Sequence, residues 1–120
     1  MRKEYRLCKS EIICDVLHSN NKLFCKVANI YYENNSLGKP QIAIIASKKK
    51  FSLAVTRNKI KRQVRSILLE WISKLNTYNI VIVIKLDWIK LSYIENKNQL
   101  DNLLRRICKK EGKKNNEFSN

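Results

Sequence analysis

Apolar positions along the chain switch between helical and extended spacing. In "SEIICDVLH", residues 10 to 18, Ile12, Ile13, Val16 and Leu17 share one helical face, with Ser10 placed to cap it. Residues 22 to 33, "KLFCKVANIYYE", are rich in β-formers, and "ENNSLGKP" breaks the run with Asn, Ser, Gly and Pro. "QIAIIAS", residues 41 to 47, reads as a buried strand. The spacing predicts that these two runs pair as an antiparallel hairpin across a moderately long loop.

Residues 57 to 75 carry the strongest helical signal. Ile60, Val64, Ile67, Leu68, Trp71, Ile72 and Leu75 recur at steps of three and four, with Thr56 as the expected cap. "NIVIVIK", residues 79 to 85, predicts a second buried strand. A last helix is expected from Ser92, where "SYIE" has the form of a capping box, and Leu100, Leu103, Leu104 and Ile107 give its buried face. From Glu111 onward "EGKKNNEFSN" has no period, so a disordered basic tail is expected over 111–120. The order helix, hairpin, helix, strand, helix predicts one small α+β domain over residues 1–110, with a central, mostly antiparallel sheet.

Composition changes this picture in one respect. The 120 residues suit a single domain, but 25 Lys and Arg face only 10 Asp and Glu, a net charge of +15. Such a surplus opposes compaction and is tolerated where the partner is a polyanion. Nucleic acid is the first candidate. An acidic membrane surface is the second, although it would require an amphipathic helix with a continuous apolar face left unburied. No apolar run approaches the ~20 residues of a membrane span. The charged start "MRKEYRLCKSE" has no apolar signal core, so a cytoplasmic protein is expected. Cys8, Cys14, Cys25 and Cys108 are unevenly spaced and His18 is the only histidine. That spacing favours reduced, buried thiols over a zinc site or a disulfide framework, and no metal site on the protein is expected.

The charge is also unevenly distributed. No acid occurs between Glu33 and Glu70, and eight cations lie between Ser47 and Ser66. Lys48, Lys49 and Lys50 precede the helix; Arg57, Asn58, Lys59, Lys61, Arg62 and Arg65 follow in its first half. At 100° per residue Asn58, Lys61, Arg62 and Arg65 fall in one sector beside the apolar stripe, with Lys59 further round and Arg57 at the mouth of the first turn. Cations near a helix N-terminus oppose its dipole by ~0.3–1 kcal/mol each. Like charges four apart, as in Arg57/Lys61 and Lys61/Arg65, add about 0.2–0.5 kcal/mol per pair. A solvated charged face would interleave Glu or Asp to relieve this, and none is present. The arrangement therefore points to a bound polyanion, held by free backbone N–H groups and by the cations themselves.

Other chemistry is sparse. There is no GxxxxGK[ST] loop or GxGxxG turn, so no small-molecule nucleotide substrate is expected. Glu33, Glu70, Asp87, Glu95 and Asp101 are scattered, whereas a metal-dependent protein nuclease needs clustered carboxylates. His18 has no evident nucleophile partner and reads as a surface residue. Tyr31 and Tyr32 adjoin in a strand, so one faces the core and the other faces away. Alternation leaves open which is which, and whether the outward ring stacks on a base or packs beneath a helix. Trp71 lies on the buried stripe; Trp88 is undecided, and Phe51 is a candidate anchor for the basic loop.

"SKKKFSLAVTRNKIKRQVR" closely resembles the signature of the bacterial ribonuclease P protein subunit: a strand ending in a Lys pair, a short loop, then a helix carrying Ala–x–x–Arg–Asn–x–x–Lys–Arg–x–x–Arg, matched by Ala54, Arg57, Asn58, Lys61, Arg62 and Arg65. "RLCKSEIICDVL", "YNIVIVIK" and "LSYIENKNQLDNLLRR" resemble the family's opening helix, later strand and closing helix. The resemblance implies a protein that assists a catalytic RNA in removing the 5′ leader from precursor tRNA, the RNA performing the hydrolysis with bound Mg²⁺. It implies that the arginine-rich helix contacts that RNA and that the leader lies in a cleft between the sheet and the first helix, lined here by Ile13, Leu17 and Tyr31 or Tyr32. It also implies a left-handed βαβ crossover, against the usual hand. Three departures stand out. Ile13 and Leu17 occupy cleft positions that are often Phe in the family. Lys59 replaces a frequent Arg, keeping charge but losing bidentate geometry. A common loop Gly is absent where Phe51 and Ser52 stand. The competing readings are a structural RNA-binding protein of ribosomal type, with no part in cleavage, and a stand-alone protein nuclease.

Overall fold

The structure, a computed structural model, describes residues 7, 10–35, 40–75 and 78–119. Helix α1 (Ser10–Leu17) is followed by strands β1 (Lys22–Phe24), β2 (Ala28–Asn34) and β3 (Gln41–Ile45), helix α2 (Ala54–Leu68), strand β4 (Tyr78–Ile84) and helix α3 (Tyr93–Ser119). Short 3-10 segments at Ile72–Lys74 and Leu86–Ile89 flank β4. The strands form one sheet in the order β1-β2-β4-β3. β1 with β2 and β2 with β4 are antiparallel, and β3 with β4 is parallel.

Strand β4 explains this order. Its residues 80 to 84, Ile-Val-Ile-Val-Ile, present apolar groups to both faces, and all but the half-buried Val83 are buried. A strand of that kind belongs in the middle of a sheet covered on both sides. β4 accordingly sits between β2 and β3, and the expected hairpin between the 22–33 and 41–47 runs does not form. The first run instead folds on itself. Cys25–Val27 is the turn between β1 and β2, with Cys25 N donating to Ala28 O (2.9 Å) and Lys85 Nζ donating to Cys25 O (2.8 Å). That turn has no Gly, Pro or Asn to announce it in sequence.

One sheet face carries Ala28, Ile30, Tyr32, Ile42, Ile80, Ile82 and Ile84, packed beneath Ile60, Val64, Ile67 and Leu68 of α2 and Leu100, Leu103, Leu104 and Ile107 of α3. The other face carries Ala43 and Val81 beneath Val16 of α1, with Leu7 alongside. Helix α2 ends at Leu68 rather than Leu75. Trp71 N then donates to Leu68 O (2.8 Å), and the chain tightens into 3-10 geometry that keeps both Trp71 and Leu75 buried.

Ser92 caps α3 as predicted, its Oγ accepting from Glu95 N (3.3 Å). Backbone helix continues through 111–119, where no structure was expected. Propagation adds a hydrogen bond per residue without renewed nucleation, so a helix already packed through Ile107 can run on although Gly112, Asn115 and Asn116 are weak helix formers.

Trp71 Nε1 donates to Asp101 Oδ1 (2.9 Å), and Trp88 Nε1 donates to Gln63 Oε1 (3.0 Å), each tying α2 or its extension to a neighbouring segment. Lys97 of α3 bridges Asp101 Oδ2 (3.0 Å) and Glu70 Oε2 (3.2 Å). The bonds to Asp101 and then Glu70 raise the Lys97 pKa above its ordinary 10.5. The charged form is therefore favoured in the folded state. Its stabilising effect is complete below 10.5 and disappears as pH rises through the higher folded-state value. Urea midpoints of the wild type and Lys97→Met, compared from neutral to strongly alkaline pH, should differ by a constant amount and then converge above 10.5. A difference independent of pH would mean that only the aliphatic stem of Lys97 matters.

Candidate nucleic-acid interface

β3 leads directly into the lysine turn. Phe51 N donates to Ser47 O (2.9 Å) and Lys50 N to Ser47 Oγ (3.3 Å), closing a tight loop. The Phe51 ring is buried in the main core, so the loop is anchored by its last residue while Lys48, Lys49 and Lys50 stay exposed. Arg57 completes the brace. Its Nη1 donates to the carbonyls of Phe51 (2.8 Å) and Ser52 (3.1 Å), and the side chain is half-buried. Arg57 is thus held by the protein itself.

α2 starts at Ala54, with extended Leu53 as its cap residue and no side chain capping it. Thr56, the expected cap, lies inside the first turn. Phe51 burial and the Arg57 bonds fix where the loop ends, so the cap position is decided by loop length, not by the preference of the residue there. Ser or Asp at the cap would contribute about 1 kcal/mol, and the first turn holds no acid.

The predicted polar sector of α2 divides in two. Ile60, Val64, Ile67 and Leu68 face the core. Lys61 and Arg65 are half-buried on one flank, and Gln63 binds Trp88 on the other. Val55, Asn58, Lys59, Arg62, Ser66 and Leu69 point outward. Among the described residues, Lys48, Lys49, Lys50, Arg57, Lys59, Lys61 and Arg62 make no ion pair, whereas Lys90 pairs with Asp87 and Lys97 with Glu70 and Asp101. For these seven cations the charge left uncompensated in sequence is uncompensated in the fold.

The second sheet face forms the other half of the candidate site. Pairing aligns Lys22, Tyr31, Val81 and Ala43 in one row, and Phe24, Asn29, Val83 and Ile45 in the next. Ile13 and Leu17 of α1 are half-buried against this face together with Tyr31, Ile45 and Val83. Tyr31 therefore joins the predicted cleft. Tyr32 does not: it is 3% exposed on the opposite face, edge-on to Tyr78 with ring centroids 5.5 Å apart. Sequence reasoning missed Phe24, which is 56% exposed and meets Tyr31 edge-on at 6.2 Å. Its place beside Tyr31 depends on the unannounced turn at Cys25–Val27. Ile45, in the same row as Phe24, is the last residue of β3, just before the lysine turn, so the chain joins the cleft face to the cationic cluster.

The described residues contain no group of three or more His, Cys, Asp or Glu able to hold a metal ion. Cys14 is exposed, and Cys25 and Cys108 are half-buried, so these three are outside any disulfide but are not the buried groups expected; Cys8 lies outside the described residues. His18 is exposed, as expected, with Nδ1 2.7 Å from Cys14 O at the end of α1. No helix among the described residues is long and apolar enough to cross a membrane.

The family model Ribonuclease P matches residues 1–108. A Ureaplasma parvum protein named ribonuclease P protein component is 33% identical over 105 residues, covering 88% of this chain and 93% of that protein. A Mycoplasma genitalium protein of the same name is 31% identical over 107 residues, covering 89% and 84%. Among solved structures, a Staphylococcus aureus RNase P protein superposes with a TM-score of 0.78 at 23% identity, over 86% of this chain and 94% of that one. The Thermotoga maritima RNase P protein gives 0.74 at 21% identity, over 84% and 96%. The chain belongs to the ribonuclease P protein family.

Arg57 and Arg62 of the cluster should separate by experiment. Arg57→Ala removes two bonds from a half-buried guanidinium and should lower the free energy of unfolding by about 1–3 kcal/mol. Arg62→Ala, at an exposed site, should change it by less than about 0.5 kcal/mol. Urea denaturation of both variants checks this; equal losses would contradict the bracing role of Arg57.

Proposed function

We propose that this chain, as a member of its family, acts as the protein subunit of a ribonucleoprotein endoribonuclease that removes the 5′ leader of precursor tRNA. In this reading it binds the catalytic RNA through Lys48, Lys49, Lys50, Asn58, Lys59, Lys61, Arg62 and Arg65, with Arg57 holding the loop in shape. The leader lies against the face lined by Ile13, Leu17 and Tyr31. The observation that carries the proposal is that Lys48, Lys49, Lys50, Lys59, Lys61 and Arg62, at the start of α2 and at the end of the strand that borders this face, have no carboxylate partner. Phosphates approaching it meet charges that no carboxylate has neutralised, so binding releases counterions from the RNA and relieves repulsion within the helix.

The division of labour follows from the side chains. The protein supplies positive charge and an apolar, aromatic floor; the RNA supplies the reacting groups. Mg²⁺ in this reading is bound chiefly by the RNA and provides the activated water and charge stabilisation of hydrolysis. The protein lowers repulsion between two polyanions, the catalytic RNA and the leader, and so favours the complex in which cleavage occurs. The setting is cytoplasmic, where tRNA precursors and a reducing environment coincide.

Precursor tRNA and Mg²⁺ should be incubated with the protein alone, with a catalytic ribonuclease P RNA alone, and with both at low salt. Correctly placed cleavage should be stimulated only in the mixture. Binding without stimulation would favour a structural RNA-binding protein, and cleavage by the protein alone would favour a protein nuclease. In the same system Arg62→Ala should weaken RNA binding and reduce the slope of log affinity against log salt by about 0.7–0.9 for each phosphate that is no longer neutralised. An unchanged slope would remove Arg62 from the interface.

A further inference from the structure

Two exposed aliphatic side chains stand among the cations at the start of α2. Leu53 is 67% exposed and Val55 is 79% exposed, and they flank the first residue of the helix. Single exposed aliphatics are ordinary on protein surfaces. These two, however, occupy a helix start that departs from local preference in three ways: an apolar residue at the cap, a β-branched residue in the first turn, and no acid there. Positions that abandon local preference together tend to serve a ligand. The helical neighbours of Val55 at three, four and seven residues on are Asn58, Lys59 and Arg62, and Lys48, Lys49 and Lys50 stand on the preceding turn.

We infer that Leu53 and Val55 form an apolar seat for an unpaired nucleobase of the bound RNA, inside the ring of cations that holds its backbone. The inference rests on the RNA-binding reading above and adds a nucleotide contact to it. Charge complementarity selects the occupant. The surrounding cations require closely spaced anions, and the aliphatic pair requires a flat apolar surface within a few ångströms of them. A nucleotide joins both in one unit. A base within a helix keeps its faces in the stack, so the base seated here is unpaired. The amide of Asn58, one turn beyond Val55, is placed to hydrogen-bond a base edge.

Leu53→Ser, Val55→Thr and the double variant test this, because all three keep the charge. The probes are a stem–loop RNA with an unpaired loop and a fully paired duplex of equal length. The double variant should bind the stem–loop roughly five- to tenfold more weakly, with the salt slope of the wild type, since every phosphate keeps its cation. Duplex affinity should be unchanged. The thermal midpoint of Leu53→Ser should stay level or rise, because Ser is the better cap; weaker binding at undiminished stability is something a purely structural role would not produce. Unchanged stem–loop affinity overturns the inference, as does equal weakening on both RNAs, which would indicate a backbone contact. If the wild type shows no salt-dependent RNA binding at all, the functional reading itself fails and the seat falls with it.

Discussion

A strand with apolar side chains on both faces cannot lie at the edge of a small sheet without exposing one of them to water. β4 imposes that constraint here. Its central place separates β2 from β3 and makes β3 its parallel neighbour. Parallel neighbours need a crossover, and α2 provides it. The helix start is consequently fixed at the end of β3, next to the row containing Phe24 and Ile45. Covering the apolar run 80–84 on both faces thus decides where the cationic cluster stands and which sheet face is left to the short helix α1.

The same helix meets two opposing demands. Ile60, Val64, Ile67 and Leu68 commit one side to the core, and that commitment holds the helix together despite its electrostatics. Burying such side chains contributes about 1.5–3 kcal/mol each. Dipole opposition and like-charge pairs cost ~0.2–1 kcal/mol each and are softened by salt. Packing therefore wins without any bound ligand, so the cluster is preformed. The network of Trp71, Asp101, Lys97 and Glu70 works in the same direction, because it fastens α3 to the far end of α2, away from the cations.

Much of this is legible in the sequence because it rests on local periodicity. The apolar stripe of α2, the Ser92 cap and the buried face of α3 follow from spacing alone, and so does the uncompensated charge. Strand pairing is not legible. A two-residue period identifies a strand and its faces but not its neighbour, and the turn at Cys25–Val27 is held by Lys85, a residue distant in sequence. Everything that depends on that turn is hidden with it, including the place of Phe24 and the choice between Tyr31 and Tyr32. The start of α2 is hidden for a related reason. Capping preferences favour Thr56, whereas the burial of Phe51 and the bonds from Arg57 set the boundary three residues earlier, at Leu53.

That boundary links fold to function. Starting the helix at Thr56 would satisfy a capping rule but leave Leu53, Ala54 and Val55 in a longer, looser loop. Starting it at Leu53 leaves the cap without a polar side chain and, in return, gives the lysine turn a short, braced connection. A floating loop would lose more conformational entropy on binding RNA than a loop already fixed by Phe51 and Arg57. Arg57 illustrates the exchange: two of its hydrogen bonds go to carbonyls of its own loop, and the result is to position the lysines beside it. In this family motif, then, charge count alone does not identify the ligand contacts. On the proposed function, cations whose donors are already engaged shape the site, and those still facing solvent are the ones available to phosphate.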